Sequence, residues 1–237
     1  MSAVDPETDR RRRASPALAQ SEDSPHPDLA ERLLAIQEDE RKRIARVLHD
    51  DLGQQVASLS ILTGALKRRL PADDAENRQQ ADRIKEKLVA LAERMSRLSL
   101  DLYPSVLEHA GIGVALRQLC EDYAASSGIN VAYECSGDLK DVPLQVGLCL
   151  YRVLQDVLES AGRGDPGTRV SVRLLRFGSQ MELSITDWER RLFAAGESDE
   201  RLTLWILQER ARSVRGEIRF ETSPDASEPR LTVCVAC

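Results

Sequence analysis

Apolar residues in the first third of the chain recur on a helical period. Leu33, Ile36, Ile44, Val47, Leu48, Leu52, Val56, Leu59, Leu62 and Leu66 form a stripe at steps of three and four, which predicts one long amphipathic helix from about Pro27 to Leu70. "LPADDAEN", residues 70–77, interrupts it with Pro71 and an acidic turn. A second stripe follows at Ile84, Leu88, Leu91, Met95, Leu98 and Leu102. Its steps of 4-3-4-3-4 are a heptad seam, and Pro104 favours a stop just beyond it. Two long helices joined by a short turn make an antiparallel hairpin. One hairpin cannot cover seams of that length, so the pattern predicts a homodimer closed as a four-helix bundle.

From residue 105 the period changes. "IGVALRQLCEDYAASSG" reads as a helix ending near Gly128, "INVAYEC" as a strand, and "VPLQVGLCLYRVLQDVLESAG" as a long helix. "TRVSVRLLRF" and "QMELSITD" alternate as strands of a hairpin around Gly178. "RLTLWILQERARSV" is helical, and "EIRFETS" and "PRLTVCVAC" are a last strand pair. Helices interleaved with a mixed sheet predict a two-layer α/β sandwich. The expected organisation is a disordered arm over residues 1–27, the hairpin over 28–104 and the sandwich over 105–237.

Composition narrows the function. The 237 residues are 42% hydrophobic, 30% charged and only 4% aromatic, with a net charge of −6. That suits an aliphatic core and argues against nucleic acid as the partner. No apolar run reaches membrane-spanning length and no secretory signal opens the chain, so the expected setting is the cytoplasm. The five cysteines are scattered and odd in number, a reduced pattern with no zinc spacing. Neither a metal nor a cofactor is expected.

The candidate chemistry lies in "ERKRIARVLHDDLGQQ", residues 40–55. His49 falls one position past Leu48, at the edge of the apolar stripe, and Asp50 and Asp51 extend a polar face. A histidine there offers a usable ring nitrogen near neutral pH. A neighbouring carboxylate can hold the other nitrogen protonated and favour the imidazolium formed on attack. Asp50 and Gln54, four residues apart, share a face. The other two histidines are not expected nearby: His26 is in the arm and His109 lies beyond the second helix. The residues alone leave a reactive histidine and a merely exposed one equally open.

A resemblance weighs on that choice. E-x-E-R-x-R-I-A-R-x-L-H-D-x-L-G-Q, from Glu38 to Gln54, resembles the phosphoacceptor box of the nitrate-sensor-like class of two-component sensor histidine kinases. "LYPSVLEHAGIGVAL", 102–116, resembles the segment joining that family's hairpin to its ATP-binding domain, and "LYRVLQDVLESA", 150–161, the first helix of its nucleotide pocket. The resemblance covers about residues 30–237 and implies that the sandwich is of the histidine-kinase ATPase type. It implies that His49 is phosphorylated, that Asp50 is a general base, and that Gln54 orients a water in a phosphatase reaction on a response regulator.

The chain departs from the family where ATP binds. Ser160 stands where a magnesium-holding asparagine is expected, and "GRGDPG" replaces the usual continuation. The D-x-G-x-G turn reads "DWERR", 187–191: Asp187 remains, with Glu189 and Arg191 in place of both glycines. The second glycine turn is replaced by "RLTLWILQERA", with no glycine from Arg201 to Ala211. Only glycine lets a main chain approach a phosphate so closely, and amides at a helix start bind anions. Ser160 and Asp187 are therefore read as vestigial, Asp187 more simply as a strand-end turn residue.

The expected function is histidine phosphotransfer through His49, to or from the receiver domain of a response regulator, without ATP. An ATP-dependent kinase with a divergent pocket is the alternative from a second class. A scaffold that binds a response regulator or a true kinase, with His49 idle, is the third. No sensor domain is legible, so a signal would arrive through a partner such as a sensor kinase.

Overall fold

The computed structural model describes residues 27–161, 169–186, 198–221 and 230–237. Two helical segments and a turn replace the single first helix. Helix α1, Pro27–Arg46, passes into a π turn, Val47–Leu52, and continues as α2, Gly53–Arg69. The amide of Gly53 reaches back to the carbonyl of Leu48, five residues earlier, the bond that defines a π turn. Helix α3, Ala75–Leu102, returns antiparallel. Its start is fixed by Asp74, whose carboxylate accepts the Asn77 amide at 3.2 Å, an ordinary N-cap.

The heptad seam of α3 is split between two faces. Leu88, Met95 and Leu102 are half-buried, and Ala81, seven residues before Leu88, and Ser99 are buried. Ile84, Leu91 and Leu98, seven residues apart, stay 50, 45 and 50% exposed. Leu59, Ile61, Leu62 and Leu66 of α2 are open as well. The hairpin therefore carries a broad unpartnered apolar face, as its length predicts.

A short helix that the sequence pattern does not announce, α4, Ser105–Ala110, turns the chain into the sandwich. The remaining elements are α5 (Ile112–Ser127), β1 (Asn130–Ser136), α6 (Leu144–Ala161), β2 (Arg169–Phe177), β3 (Gln180–Thr186), α7 (Ser198–Ser213), β4 (Glu217–Glu221) and β5 (Arg230–Ala236). The sheet order is β1-β2-β3-β5-β4, with β1 parallel to β2 and the other pairs antiparallel. Phe177 pairs with Gln180 across the tight β2–β3 turn, where Gly178 takes a positive φ of 59°, a conformation that suits glycine.

The core is assembled from alternate strand residues and one helix face. Val172, Ile185 and Leu231 align across three strands, and so do Leu174, Leu183 and Val233. All six are fully buried. Leu150, Val153, Leu154, Val157 and Leu158 of α6 cover them at steps of three and four. At Gly216, after α7, a Cβ would lie 2.5 Å from Val235 Cγ1, so helix and strand meet only because that residue has no side chain. Among the described residues no helix is long and apolar enough to cross a membrane.

Candidate functional site

His49 sits on the π turn, and the reason is partly visible in the hairpin packing. One turn earlier Ala45 is buried against α3, and the Ser99 hydroxyl donates to the Ala45 carbonyl at 3.0 Å. Small residues on both helices let the backbones approach there. The π turn then takes one more residue than an α turn. His49, Asp50 and Gln54 are all exposed.

The imidazole borders a cleft of about 290 Å³. Lys42, Arg46 and Asp50 line it from the first helix, Ser96, Ser99 and Leu100 from α3, and Ser105, Glu108 and His109 from α4. Sequence separation had placed His109 away from His49. The fold corrects this, because α4 doubles back over the first helix and brings the second histidine into the same cleft. The His109 Nδ1 lies 2.8 Å from the Ser105 carbonyl oxygen. A carbonyl only accepts, so Nδ1 carries a proton and donates it to this bond.

An ion pair ties this corner down. Lys42 Nζ is 2.5 Å from Glu108 Oε1 and 4.8 Å from the centre of the Tyr103 ring. The Tyr103 hydroxyl donates to the same carboxylate at 2.7 Å. The Lys42 hydrogen bond, then that of Tyr103, hold Glu108 below the usual carboxylate value, and the Glu108 bond raises Lys42. Burial, more than its bond to Glu108, pushes the Tyr103 phenol up. The cleft thus has cationic and acidic walls and an exposed histidine, His49, at its edge. No group of three or more histidine, cysteine or acidic residues suited to a metal occurs among the described residues.

The helices expected to flank a nucleotide look different. Ser160 is half-buried near the end of α6. The glycine-free stretch from Arg201 to Ala211 lies within the single helix α7. Leu207 of that stretch is fully buried in the core, and Trp205 and Ile206 are half-buried. No loop is available there to bend around a phosphate. Asp187, Glu189, Arg191 and "GRGDPG" lie outside the described residues. The cysteines are free, and burial pushes the Cys120 and Cys149 thiols up to about 12, far from a reactive thiolate.

Residues 40–107 match a family model described as histidine kinase. The chain is 28% identical over 159 residues to the sensor histidine kinase MctS of Rhizobium johnstonii, covering 67% of this chain and 34% of that protein. It is 26% identical over 212 residues to the oxygen sensor histidine kinase NreB of Staphylococcus carnosus, covering 88% and 60%. The chain thus spans between about a third and three fifths of the length of these relatives. The histidine kinase AdeS of Acinetobacter baumannii superposes with a TM-score of 0.41 at 14% identity, over 77% of this chain and 95% of that one.

Proposed function

Because the chain belongs to the sensor histidine kinase family of two-component systems, we propose that it is a histidine phosphotransfer protein working on a response regulator. A ring nitrogen of His49 attacks the phosphorus of an aspartyl phosphate on the receiver domain. The new P–N bond forms as the P–O bond to the receiver carboxylate breaks, and that carboxylate leaves as the free anion. Asp50 holds the proton on the other ring nitrogen and stabilises the imidazolium that develops. The reverse sequence passes the group back. Gln54 orients a water when the phosphoryl group is lost to solvent. A second copy of the chain covers the exposed face of the hairpin, so that the working unit is a dimeric four-helix bundle with two His49 residues.

The observation that supports transfer over ATP-driven phosphorylation is α7. Where the family resemblance calls for a glycine turn, the chain has an unbroken helix with Leu207 in the core. The names of the relatives support the second reading, an ATP-dependent kinase. One experiment separates the two. The protein is incubated with labelled magnesium-ATP and, separately, with a labelled phospho-receiver. We expect no label from ATP and an acid-labile, alkali-stable label from the receiver. Label from ATP would replace this reading by the kinase. Label from the receiver that persists in His49→Gln would replace it by the scaffold.

A further inference from the structure

His109 has no role in a transfer run by His49 and Asp50 alone, yet the fold carries it to their cleft. The chain has three histidines, and two of them, sixty residues apart, border one cleft of about 290 Å³. Both are exposed. The His109 ring is nevertheless held in place. Its Nδ1 donates to the Ser105 carbonyl at 2.8 Å, one turn back on α4. The two ring nitrogens face in nearly opposite directions, so this bond turns Nε2 away from the Ser105 carbonyl. An Nδ1–H bond to a backbone carbonyl is a common way to orient an imidazole that acts through Nε2.

The other walls show what such a nitrogen would meet. Lys42 and Arg46 bring positive charge from the first helix, and Ser96 and Ser105 bring hydroxyls. Lys42 is already committed to Glu108 and to the face of Tyr103. Asp50 and Glu108 border the same cleft and repel a phosphoryl dianion. A phosphoryl group arriving on His49 therefore needs an oriented donor that no acid has already matched. We propose that His109 is a second catalytic residue of the transfer: its Nε2–H donates to a non-bridging phosphoryl oxygen as the group moves onto His49. No covalent bond to His109 forms. A charged donor acts most strongly where negative charge gathers. The inference rests on the reading of His49 as the phosphoacceptor.

The dependence on pH follows from the hydrogen bond. Nδ1 already holds one proton, so Nε2 donates only when the ring is protonated at both nitrogens. The share of His109 is present at low pH and is lost as pH rises and the ring gives up its second proton. Its charged and titratable neighbours hold their state meanwhile. Glu108 is held low by the Lys42 bond and then that of Tyr103, Lys42 is raised by its bond to Glu108, and burial raises Tyr103. Arg46 stays cationic. Helix α3 contributes only Ser96, Ser99 and Leu100. His49 and Asp50 are common to every variant, so the ratio of two rates isolates His109.

The test uses the full chain and phosphoramidate, which gives its phosphoryl group to an imidazole nitrogen and releases ammonia. The initial rate of labelling is measured across pH, with His49→Gln as the blank. At about pH 6, His109→Gln should label about tenfold more slowly than the unmodified protein, and the ratio should shrink toward one by about pH 9. His109→Lys keeps a cation without the titration. It should stay within about threefold of the unmodified rate at the acid end and lose none of that advantage over His109→Gln by about pH 9. A ratio of one at every pH overturns the role of His109 alone. Equal slowing in both variants, constant with pH, overturns it too, because the ring would then only brace α4. Labelling of the unmodified protein no faster than the His49→Gln blank overturns the phosphoacceptor reading and this inference with it.

Discussion

The hairpin and the sandwich solve the same packing problem to different degrees. In the sandwich, three strands and α6 close a core in which Leu154, Val172, Leu183 and Val233 have no exposed surface. In the hairpin, Leu33, Ile61, Leu62 and Ile84 remain at least half exposed, and Val56 and Ala81 are among the few buried apolar residues. The described part of the sandwich closes its own core. The hairpin does not, since two antiparallel helices present more apolar surface than they can hide from water. Under the proposed function, a phosphoacceptor on this open region would meet its partner beside the proposed dimer interface. An enclosed core offers no such exposure.

The largest effect expected from this contrast is in the sandwich. Leu154→Ala removes a buried side chain that cannot be replaced by solvent, at a cost of about 2–5 kcal/mol. Calorimetry should show the melting temperature lower by roughly 10 °C. If the melt is unchanged, α6 is not seated on the sheet as described. Leu91→Asp comes next. On an isolated hairpin it would be a surface change within about 0.5 kcal/mol. At an apolar dimer interface it buries an unpaired charge, so light scattering should show dissociation to monomers while the sandwich transition stays in place. An unmodified protein that is itself monomeric would end the four-helix-bundle proposal.

How far the sequence reveals these differences depends on the range of each interaction. The α6 face, the strand alternation and the glycine-free run from Arg201 to Ala211 are local patterns, and α6, the strands and α7 follow them. The split heptad of α3 is half legible. Steps of four and three mark a seam, but only the fold separates Leu88 and Met95, half-buried, from Leu91 and Leu98, left exposed. The π turn has a faint signature in the consecutive steps of four at Leu48, Leu52 and Val56, which drift on an α helix and fit a wider turn. The placement of His109 beside His49 has none, because it depends on α4 folding back across 60 residues. Arg152 is intermediate. A lone arginine in an otherwise apolar helix face asks for a buried partner, but nothing local names Glu38, 114 residues away.

Three changes at the exposed flank sharpen the comparison by leaving both regions folded. His49→Gln should alter the melt by less than about 0.5 kcal/mol, as an exposed substitution does, and abolish transfer from a phospho-receiver. Asp50→Asn should slow transfer about a hundredfold with receiver affinity nearly unchanged, because it removes the proton-holding group and keeps the surface. Gln54→Ala should spare the transfer rate and prolong the lifetime of the phosphorylated state. Stopped-flow quenching and label decay read these separately. Loss of binding in Asp50→Asn would make that residue part of the docking surface instead.

The smallest effect concerns the corner that joins the two regions. Lys42 and Glu108 are each about one third exposed, so solvent screens the pair and its contribution is below about 1 kcal/mol. The sign with pH is nevertheless fixed. Glu108 is held below its ordinary value of 4.5, first by the Lys42 hydrogen bond and then by that of Tyr103. A carboxyl depressed on folding stabilises the native state above that ordinary value, and the stabilisation fades as pH falls through the lower, folded value. Lys42 is raised above its ordinary 10.5 by the same bond, so its share is complete below that value and is lost as pH rises through the folded one. Tyr103 titrates on the same alkaline side, which makes the acid limb the cleaner one to read. Glu108→Gln keeps an acceptor for the Tyr103 hydroxyl and removes the charge. The difference in melting temperature between it and the unmodified chain should therefore be largest near neutrality and shrink toward zero below pH 4.5. A difference that stays constant through the acid range would mean that Lys42 and Glu108 meet through packing, and that charge does not hold α4 over the cleft.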